Sequence, residues 1–350
     1  MDHTPPSHAK RRASAPTLAD VASHANVSTA TVSRCLNEPE RVVAETRTRV
    51  MAAVVELGYA PNFNARALAA RRTNTIGVII PTMENAIFAR GIQAFQEELG
   101  SHGFTLLIAS SSYSEELEAE QIQTLVARGA DALLLIGHHR DSKIVDLLRR
   151  RELPTLVAWA FNPAAPLPSI GFDNCEAMSG LGQLVMQYGH RNLGFISAHT
   201  AANDRARDRV RGVKLAMSEA GMDPNGLRVI ETDYGIECGA TAFKQLMAST
   251  PRPTAVLCGN DVLAVGAQRA AKEMGLAVPA DVSITGFDDI ELALLADPPL
   301  TTVHVPHREM GRRAARMLIE MLEGQSVLQS VKLETDIRVR QSLGAAPGIG

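Results

Sequence analysis

The sequence predicts an α/β protein in two parts: a three-helix helix-turn-helix head with a hinge helix, joined to a two-subdomain, doubly wound core. Three observations carry this expectation. Helical periodicity, punctuated by cap residues, fills residues 17–60. One further, marginal helix fits in 61–72. From Thr73 onward short apolar runs alternate with amphipathic stretches, the pattern of parallel sheets covered by helices.

The head follows from local chemistry. Thr17 and Asp20 stand three apart, as in a capping box, and Leu18, Val21 and Ala22 then share one helical face. Ser28 suits the N-cap of a second helix, whose Val32 and Leu36 lie four apart and point inward. A third helix runs from about Ala44, with Val50, Ala53, Val54 and Leu57 in register, and stops at Gly58. Two short helices around Ala25-Asn26-Val27, closed by a third, form the arrangement whose second helix enters the DNA major groove. Thr29, Ala30, Ser33 and Arg34 fall on the outer face of that helix. Arg34 can donate two hydrogen bonds to guanine, and the small Thr29 and Ala30 can approach a thymine methyl. The plainer alternative is that this face merely solvates a small bundle.

The segment 61–72 begins at Asn62, a fitting N-cap for a helix Phe63 to Ala70 that is too short to stand alone in water. A flexible linker ending in Arg71-Arg72 is the alternative. Residues 1–16, with Pro5, Pro6, Lys10, Arg11, Arg12 and Ser14, read as a disordered basic arm with no apolar signal region.

In the body, the first strands are expected at Ile76–Ile80, Phe104–Ala109, Ala132–Ile136 and Thr155–Ala158. Helices near Phe88–Gly100, Glu115–Arg128 and Asp141–Arg150 separate them. A second series places strands at Ser169–Phe172, Leu193–Ile196, Arg228–Glu231, Ala255–Cys258 and Val282–Gly286. Its helices lie near Glu176–Tyr188, Val210–Ala220, Cys238–Ala248 and Val262–Gly275, and the strand Leu300–Val305 and helix His307–Leu322 return to the first half. The expected subdomains are 73–168 with 303–332, and 169–302 with 333–342. Open parallel sheets bind ligands beyond the carboxyl ends of their strands. Asn260-Asp261 follows one such end, Asp288-Asp289 another, and Arg209 lies in a helical entry. Together these groups can donate to and accept from a hydroxylated small molecule. Helix capping by Asn260 or Asp288, and a solvated face for Arg205, Arg207, Arg209 and Arg211, are the structural alternatives.

The motifs Thr31-Val32-Ser33-Arg34-Cys35-Leu36-Asn37, Gly58-Tyr59, Pro61-Asn62, Asn260-Asp261, Gly286-Phe287-Asp288-Asp289 and Pro299-Leu300-Thr301-Thr302-Val303 resemble the lactose-repressor/galactose-repressor family of bacterial transcription factors. The resemblance covers about residues 17–340. It implies a body like that of the periplasmic sugar-binding proteins. It implies contact with palindromic operator DNA through Thr17, Leu18, Ser28, Thr29, Ala30, Thr31, Ser33, Arg34, Asn37, Tyr59, Asn62, Ala65 and Leu68. Within that set Arg34 contacts a base, Thr29 and Ala30 choose between operators, and Leu68 is an apolar wedge in the minor groove beside Ala65. The effector-binding role is carried onto Arg209, Asn260 and Asp288. Phe88, Trp159, Tyr234 and Phe287 occupy matching lining positions, and Arg205 adds a guanidinium that suits a carboxylated ligand.

The expected function is thus a repressor of a carbohydrate or sugar-acid utilisation operon, controlled by a small effector, with a purine-corepressed regulator as the alternative. A pure solute-binding protein would lack the head and need an export signal. No phosphate loop, nucleophile elbow or paired cysteine motif suggests an enzyme, and His138-His139 has no carboxylate at metal spacing. Neither a cofactor nor a metal is expected. The four cysteines, Cys35, Cys175, Cys238 and Cys258, suit a reducing cytosol as small buried residues, and cytoplasmic residence is expected. With 350 residues, 45% hydrophobic and 21% charged, the chain can build more than one core, and no run approaches membrane-spanning length. Residues 1–72 carry a formal charge of +4 and the remainder −7, so the head attracts phosphate and the body repels it. A homodimer is expected, because a two-fold pair of heads doubles the contacts on a palindrome. The tail Val339–Gly344 has no leucine heptads for a tetramerising coiled coil.

Overall fold

The structure, a computed structural model, describes residues 15–60, 72–84, 86–325 and 329–348. It divides into two compact units, residues 1–73 and 74–350.

The head contains α1 (Leu18–His24), α2 (Thr29–Asn37) and α3 (Ala44–Leu57). The expected capping box is present: Thr17 N–H donates to Asp20 Oδ2 at 2.7 Å, and Asp20 N–H donates to Thr17 Oγ1 at 3.3 Å. Ser28 Oγ accepts from Thr31 N–H at 3.2 Å and caps α2. Gly58 ends α3 in the left-handed region at φ 63°, where a side chain would be strained. Val21, Ala22, Val32, Cys35, Val50, Ala53 and Tyr59 pack together as the core of this unit. Leu36, expected inward, is only half-buried at its margin.

The body holds two six-stranded sheets. The first contains β1 (Thr75–Ile80), β2 (Thr105–Ser110), β3 (Ala132–Ile136), β4 (Thr155–Ala158), β5 (Ser169–Gly171) and β11 (Val331–Lys332), in the order β11-β5-β4-β3-β1-β2. The second contains β6 (Leu193–Ser197), β7 (Arg228–Glu231), β8 (Ala255–Cys258), β9 (Ser283–Asp288), β10 (Thr301–His304) and β12 (Asp336–Arg338), in the order β12-β10-β9-β8-β6-β7. All neighbours run parallel except the antiparallel pair β10 and β12. In each half the order reverses beside the first strand, as in doubly wound sheets, so the strand exits open onto a crevice. Helices α4 (Ala86–Ser101), α5 (Glu115–Ala127) and α6 (Ser142–Arg150) belong to the first half. The second half carries α7 (Asn174–Gln187), α8 (Asp204–Glu219), α9 (Ile236–Met247), α10 (Asp261–Glu273) and the short α11 (Glu291–Leu295). Helix α12 (His307–Leu322) returns to pack on α4.

Two boundaries differ from expectation. Ser169–Gly171 pairs with β4 and so belongs to the first half, while Thr301–His304 pairs with β9 and belongs to the second. Both strands are short and buried almost throughout, which leaves no alternation to reveal their sheet. The chain therefore crosses between halves near Phe172–Asp173, Val305–Pro306 and Leu333–Thr335. A third difference matters for function. Helix α8 starts at Asp204, capped by Asn203, rather than near Val210. The charged run from Asp204 to Arg211 hid its first turns, so Arg205 and Arg209 lie four apart on one helical face.

Candidate functional site

In the head, Thr29, Ala30 and Arg34 are exposed on one side of α2 and Ser33 is half-buried beside them. The other expected DNA residues serve the local framework as well. Thr31 Oγ1 shares a 2.9 Å hydrogen bond with Ser28 Oγ. The Asn37 amide donates to Ser33 O at 2.9 Å. Leu18 packs at the edge of the core, and Tyr59 is 9% exposed within it. Arg49 Nε donates to Ala25 O at 3.0 Å and ties α3 to the turn before α2. Asn62, Ala65 and Leu68 lie outside the described residues.

In the body, both halves deliver side chains to one buried cluster. From the second half, Asp288 ends β9, Asn260 follows β8 as the cap of α10, and Arg209 projects from α8. Arg209 Nε donates to Asn174 Oδ1 at 2.9 Å and its Nη1 donates to Gly259 O at 2.5 Å. Its guanidinium lies 3.8 Å from the centre of the Phe287 ring, and Nη2 faces Asp288 Oδ1 at 3.8 Å. Neither Asp288 carboxylate oxygen makes a hydrogen bond. Burial pushes the Asp288 carboxyl up to about 7, against the pull of Arg209 and Arg205. Asn260 caps α10, its Oδ1 accepting from Leu263 N–H at 2.9 Å, and its Nδ2 is buried without a partner.

From the first half come Phe88 on α4, Trp159 just after β4 and His307 at the start of α12. Phe88 meets Trp159 edge-on, with ring centres 5.3 Å apart. A Cβ on Gly91 would stand 2.6 Å from the Trp159 ring, so only glycine lets the indole lie against α4. Trp159 Nε1 donates to His307 Nδ1 at 3.2 Å. Asn174 spans the halves, since its Nδ2 donates to Trp159 O at 3.1 Å while Oδ1 holds Arg209. Trp159 at φ 61°, Asp288 at φ 101° and Asp289 at φ 54° all occupy the left-handed region. Such backbone costs about 1–3 kcal/mol per residue and persists where surrounding structure enforces it.

A second contact between halves lies to one side. His138 N–H donates to Asp204 Oδ2 at 2.5 Å, and Arg205 Nη1 holds Asp204 Oδ1 at 3.1 Å. Burial opposes ionisation of Asp204, yet Arg205 and the His138 N–H hold its carboxyl below the usual range. Arg205, expected to receive a carboxylated ligand, thus already has a carboxylate partner. On the other side Tyr113 and Tyr234, one from each half, pack with ring centres 6.0 Å apart. Open clefts of about 730 and 510 Å³ flank the cluster, one beside Asp173, Asp204 and Arg207, the other beside Tyr113 and Tyr234.

The structure brings Arg209, Asn260, Phe287 and Asp288 together with Phe88 and Trp159; Arg205 and Tyr234 sit at the sides. Sequence reasoning missed His307, Asn174, Asp204 and Tyr113. Tyr113, Asn174 and His307 each stand soon after a strand end, a positional signal that could have raised them; Asp204 acquires meaning only through its contact between halves. Among the described residues no group of three or more His, Cys, Asp or Glu side chains could hold a metal ion, and no helix is long and apolar enough to cross a membrane.

Head and body together define a helix-turn-helix regulator carrying a periplasmic-binding-protein-like domain. Residues 17–62 match the bacterial regulatory proteins of the lacI family, and residues 183–343 match the periplasmic binding protein-like domain. The chain is 35% identical over 343 residues to the HTH-type transcriptional repressor CytR of Escherichia coli (strain K12), covering 97% of this chain and 99% of the relative. It is 32% identical to the HTH-type transcriptional repressor PurR of Photobacterium profundum, covering 93% and 98%. The fold matches that of the lac repressor dimer bound to operator and the anti-inducer ONPF with a TM-score of 0.84 at 28% identity, covering 94% of this chain and 99% of that one. The protein belongs to the lacI family of bacterial transcription regulators.

Proposed function

We propose that this regulator represses a carbohydrate or sugar-acid utilisation operon from the cytoplasm, binding a palindromic operator as a homodimer, and that a small hydroxylated effector held between the halves of its body sets operator affinity. The observation that carries this reading is the Asp288 carboxylate, fully buried and without a hydrogen bond, facing the Arg209 guanidinium at 3.8 Å, together with the buried Asn260 Nδ2 at the neighbouring strand exit, which also lacks a partner. Buried polar groups are nearly always satisfied, so such a set fits a ligand bearing hydroxyls. Opening and closing of the halves around it supplies two states with different ligand affinity, and linkage then transmits the difference to the operator.

The test begins with an operator recovered by selection from random duplexes. Calorimetry of the full chain follows, with D-ribose, D-glucose, D-galactose and D-gluconate, and with hypoxanthine as the purine control. A sugar or sugar acid that binds should change operator affinity. Asp288→Ala should remove that response and leave operator binding without the effector intact. A variant that still binds and responds as the wild type does would place the site elsewhere. The hinge role of Leu68 has its own measurement: Leu68→Ser should reduce operator bending and affinity together, and an unchanged bend angle would end the wedge reading.

A further inference from the structure

The tautomer of His307 can be read from its neighbour. Indole N–H is a donor only, so His307 Nδ1, at 3.2 Å from Trp159 Nε1, must accept and carries no proton. Burial pushes the imidazole down to about 3, opposed by the Asp288 main-chain carbonyl and reinforced by Arg209, which leaves the ring neutral at ordinary pH. Its single proton is therefore on Nε2. That N–H is buried, the side chain being 4% exposed, and it makes no hydrogen bond, although the Asp288 carbonyl faces it. Asp288 Oδ1, an acceptor likewise without a hydrogen bond, lies 3.9 Å away.

We infer that His307 reads the effector as a fixed hydrogen-bond donor, set in that form by Trp159, and that with Asp288 it selects a hydroxyl group. This rests on the proposed hydroxylated effector. An oxygen about 2.8 Å from each group would close a triangle on the 3.9 Å separation. With Asp288 ionised, as it is above pH about 7, a hydroxyl accepts from Nε2–H and donates to the carboxylate at once, whereas a keto oxygen can only accept and an ammonium can only donate. Trp159 then acts as a positioning residue rather than as a wall over the ligand. Its ring is pinned by the close approach of Gly91 and by Phe88. Asn260 Nδ2 and Arg209 are further donors, so Asp288 is the acceptor toward which the hydroxyl proton must turn.

Two measurements on the full chain decide this. Nitrogen-15 NMR of histidine-labelled protein should show His307 protonated at Nε2 and not at Nδ1, and Trp159→Phe should admit the other tautomer. The reverse tautomer in the wild type overturns the inference. Calorimetry then uses the monosaccharides named above and single-deoxy forms of whichever binds. His307→Leu should weaken binding about tenfold or more, His307→Gln, which keeps a donor, should stay within about threefold, and one deoxy form should bind the wild type and His307→Leu alike. Should His307→Leu fail to fold, Trp159→Phe decides, because unchanged affinity with a released tautomer overturns the proposal. Equal binding by wild type and a folded His307→Leu removes this inference while leaving the effector reading standing. No binding by any of the four sugars overturns that reading and this inference with it.

Discussion

The head and the body place the side chains proposed to bind DNA and effector by opposite rules. In the head, Thr29, Ala30 and Arg34 stand in solvent on one helical face, held there by caps and by a small core behind them. In the body, Arg209, Asn260 and Asp288 are almost wholly buried and are set against groups from distant parts of the chain. Exposure costs the head little, so its face is free to be chosen for DNA. Burial makes each polar atom of the body expensive unless it is answered. The head is accordingly a local device, and the body's site exists only once both halves have met.

This contrast is sharpest for Arg209. Arg209→Met should leave Asn174 Oδ1 and Gly259 O without their charged donor, and with hydrogen bonds to a charged group worth about 1.5–3 kcal/mol each the loss should reach about 3–5 kcal/mol. Differential scanning calorimetry of the full chain should show the body's transition move down by that equivalent. A loss below about 1 kcal/mol would show that these groups are solvated and would break the comparison.

Titration probes the same burial from two sides. The Asp288 value of about 7 lies above its ordinary 3.8, so its contribution to stability is whole below about 3.8 and is lost as pH rises through 7. The His307 value of about 3 lies below its ordinary 6.5, so its contribution is present above 6.5 and is lost as pH falls toward 3. Each reaches roughly 4–5 kcal/mol at most, and the two slopes oppose each other across the interval they share. Measured against wild type by denaturant unfolding, Asp288→Asn should gain stability as pH rises from 4 to 7, and His307→Gln should gain as pH falls over the same range. Parallel profiles for the two variants would show that neither group is buried in the ionisation state argued for.

The same difference explains what the sequence made legible. Thr17, Asp20, Ser28 and Gly58 announce the head's helix ends because capping is decided within a few residues, and the structure places those caps as expected. Asp288, Asn260 and Arg209 could be suspected from strand exits, since doubly wound sheets gather ligand groups there. Nothing local could show that Trp159 meets His307, 148 residues away, or that Asn174 joins Arg209 to Trp159. The helix carrying Arg205 and Arg209 starts earlier than its apolar pattern predicts, because its charged first turns show no apolar stripe; burial of both arginines in ion pairs supplies the missing pattern. The strand Thr301–His304 gives no sign of which half it joins for the related reason that a strand buried almost throughout has no alternating face.

In the head, the largest expected effect belongs to the exposed arginine. Arg34→Ala should weaken binding to the selected operator by about 1–3 kcal/mol and leave nonspecific duplex binding nearly unchanged, because a bidentate contact to guanine carries discrimination. Gel-shift titration of both duplexes at one salt concentration separates these outcomes. Equal losses on the two DNAs would make Arg34 a phosphate contact. Its surface position predicts no measurable loss of thermal stability, in contrast to Arg209.

The smallest expected effect tests whether the head's framework is as local as the comparison requires. Thr17→Ala removes the hydroxyl that accepts from Asp20 N–H at 3.3 Å and contacts Asp20 Oδ2 at 2.8 Å. The other limb of the box survives, because Thr17 N–H still donates to Asp20 Oδ2 at 2.7 Å. The loss should therefore stay near 0.5–1 kcal/mol, the lower part of the range for an N-cap deletion. Hydrogen exchange on the full chain should report it as faster exchange in residues 18–24, with little change in α3 and none in the body. A loss beyond about 2 kcal/mol, or faster exchange spreading into the body's sheets, would show that the first helix is tied to more than its own turn, and the division between a locally built head and a juxtaposed body would fail.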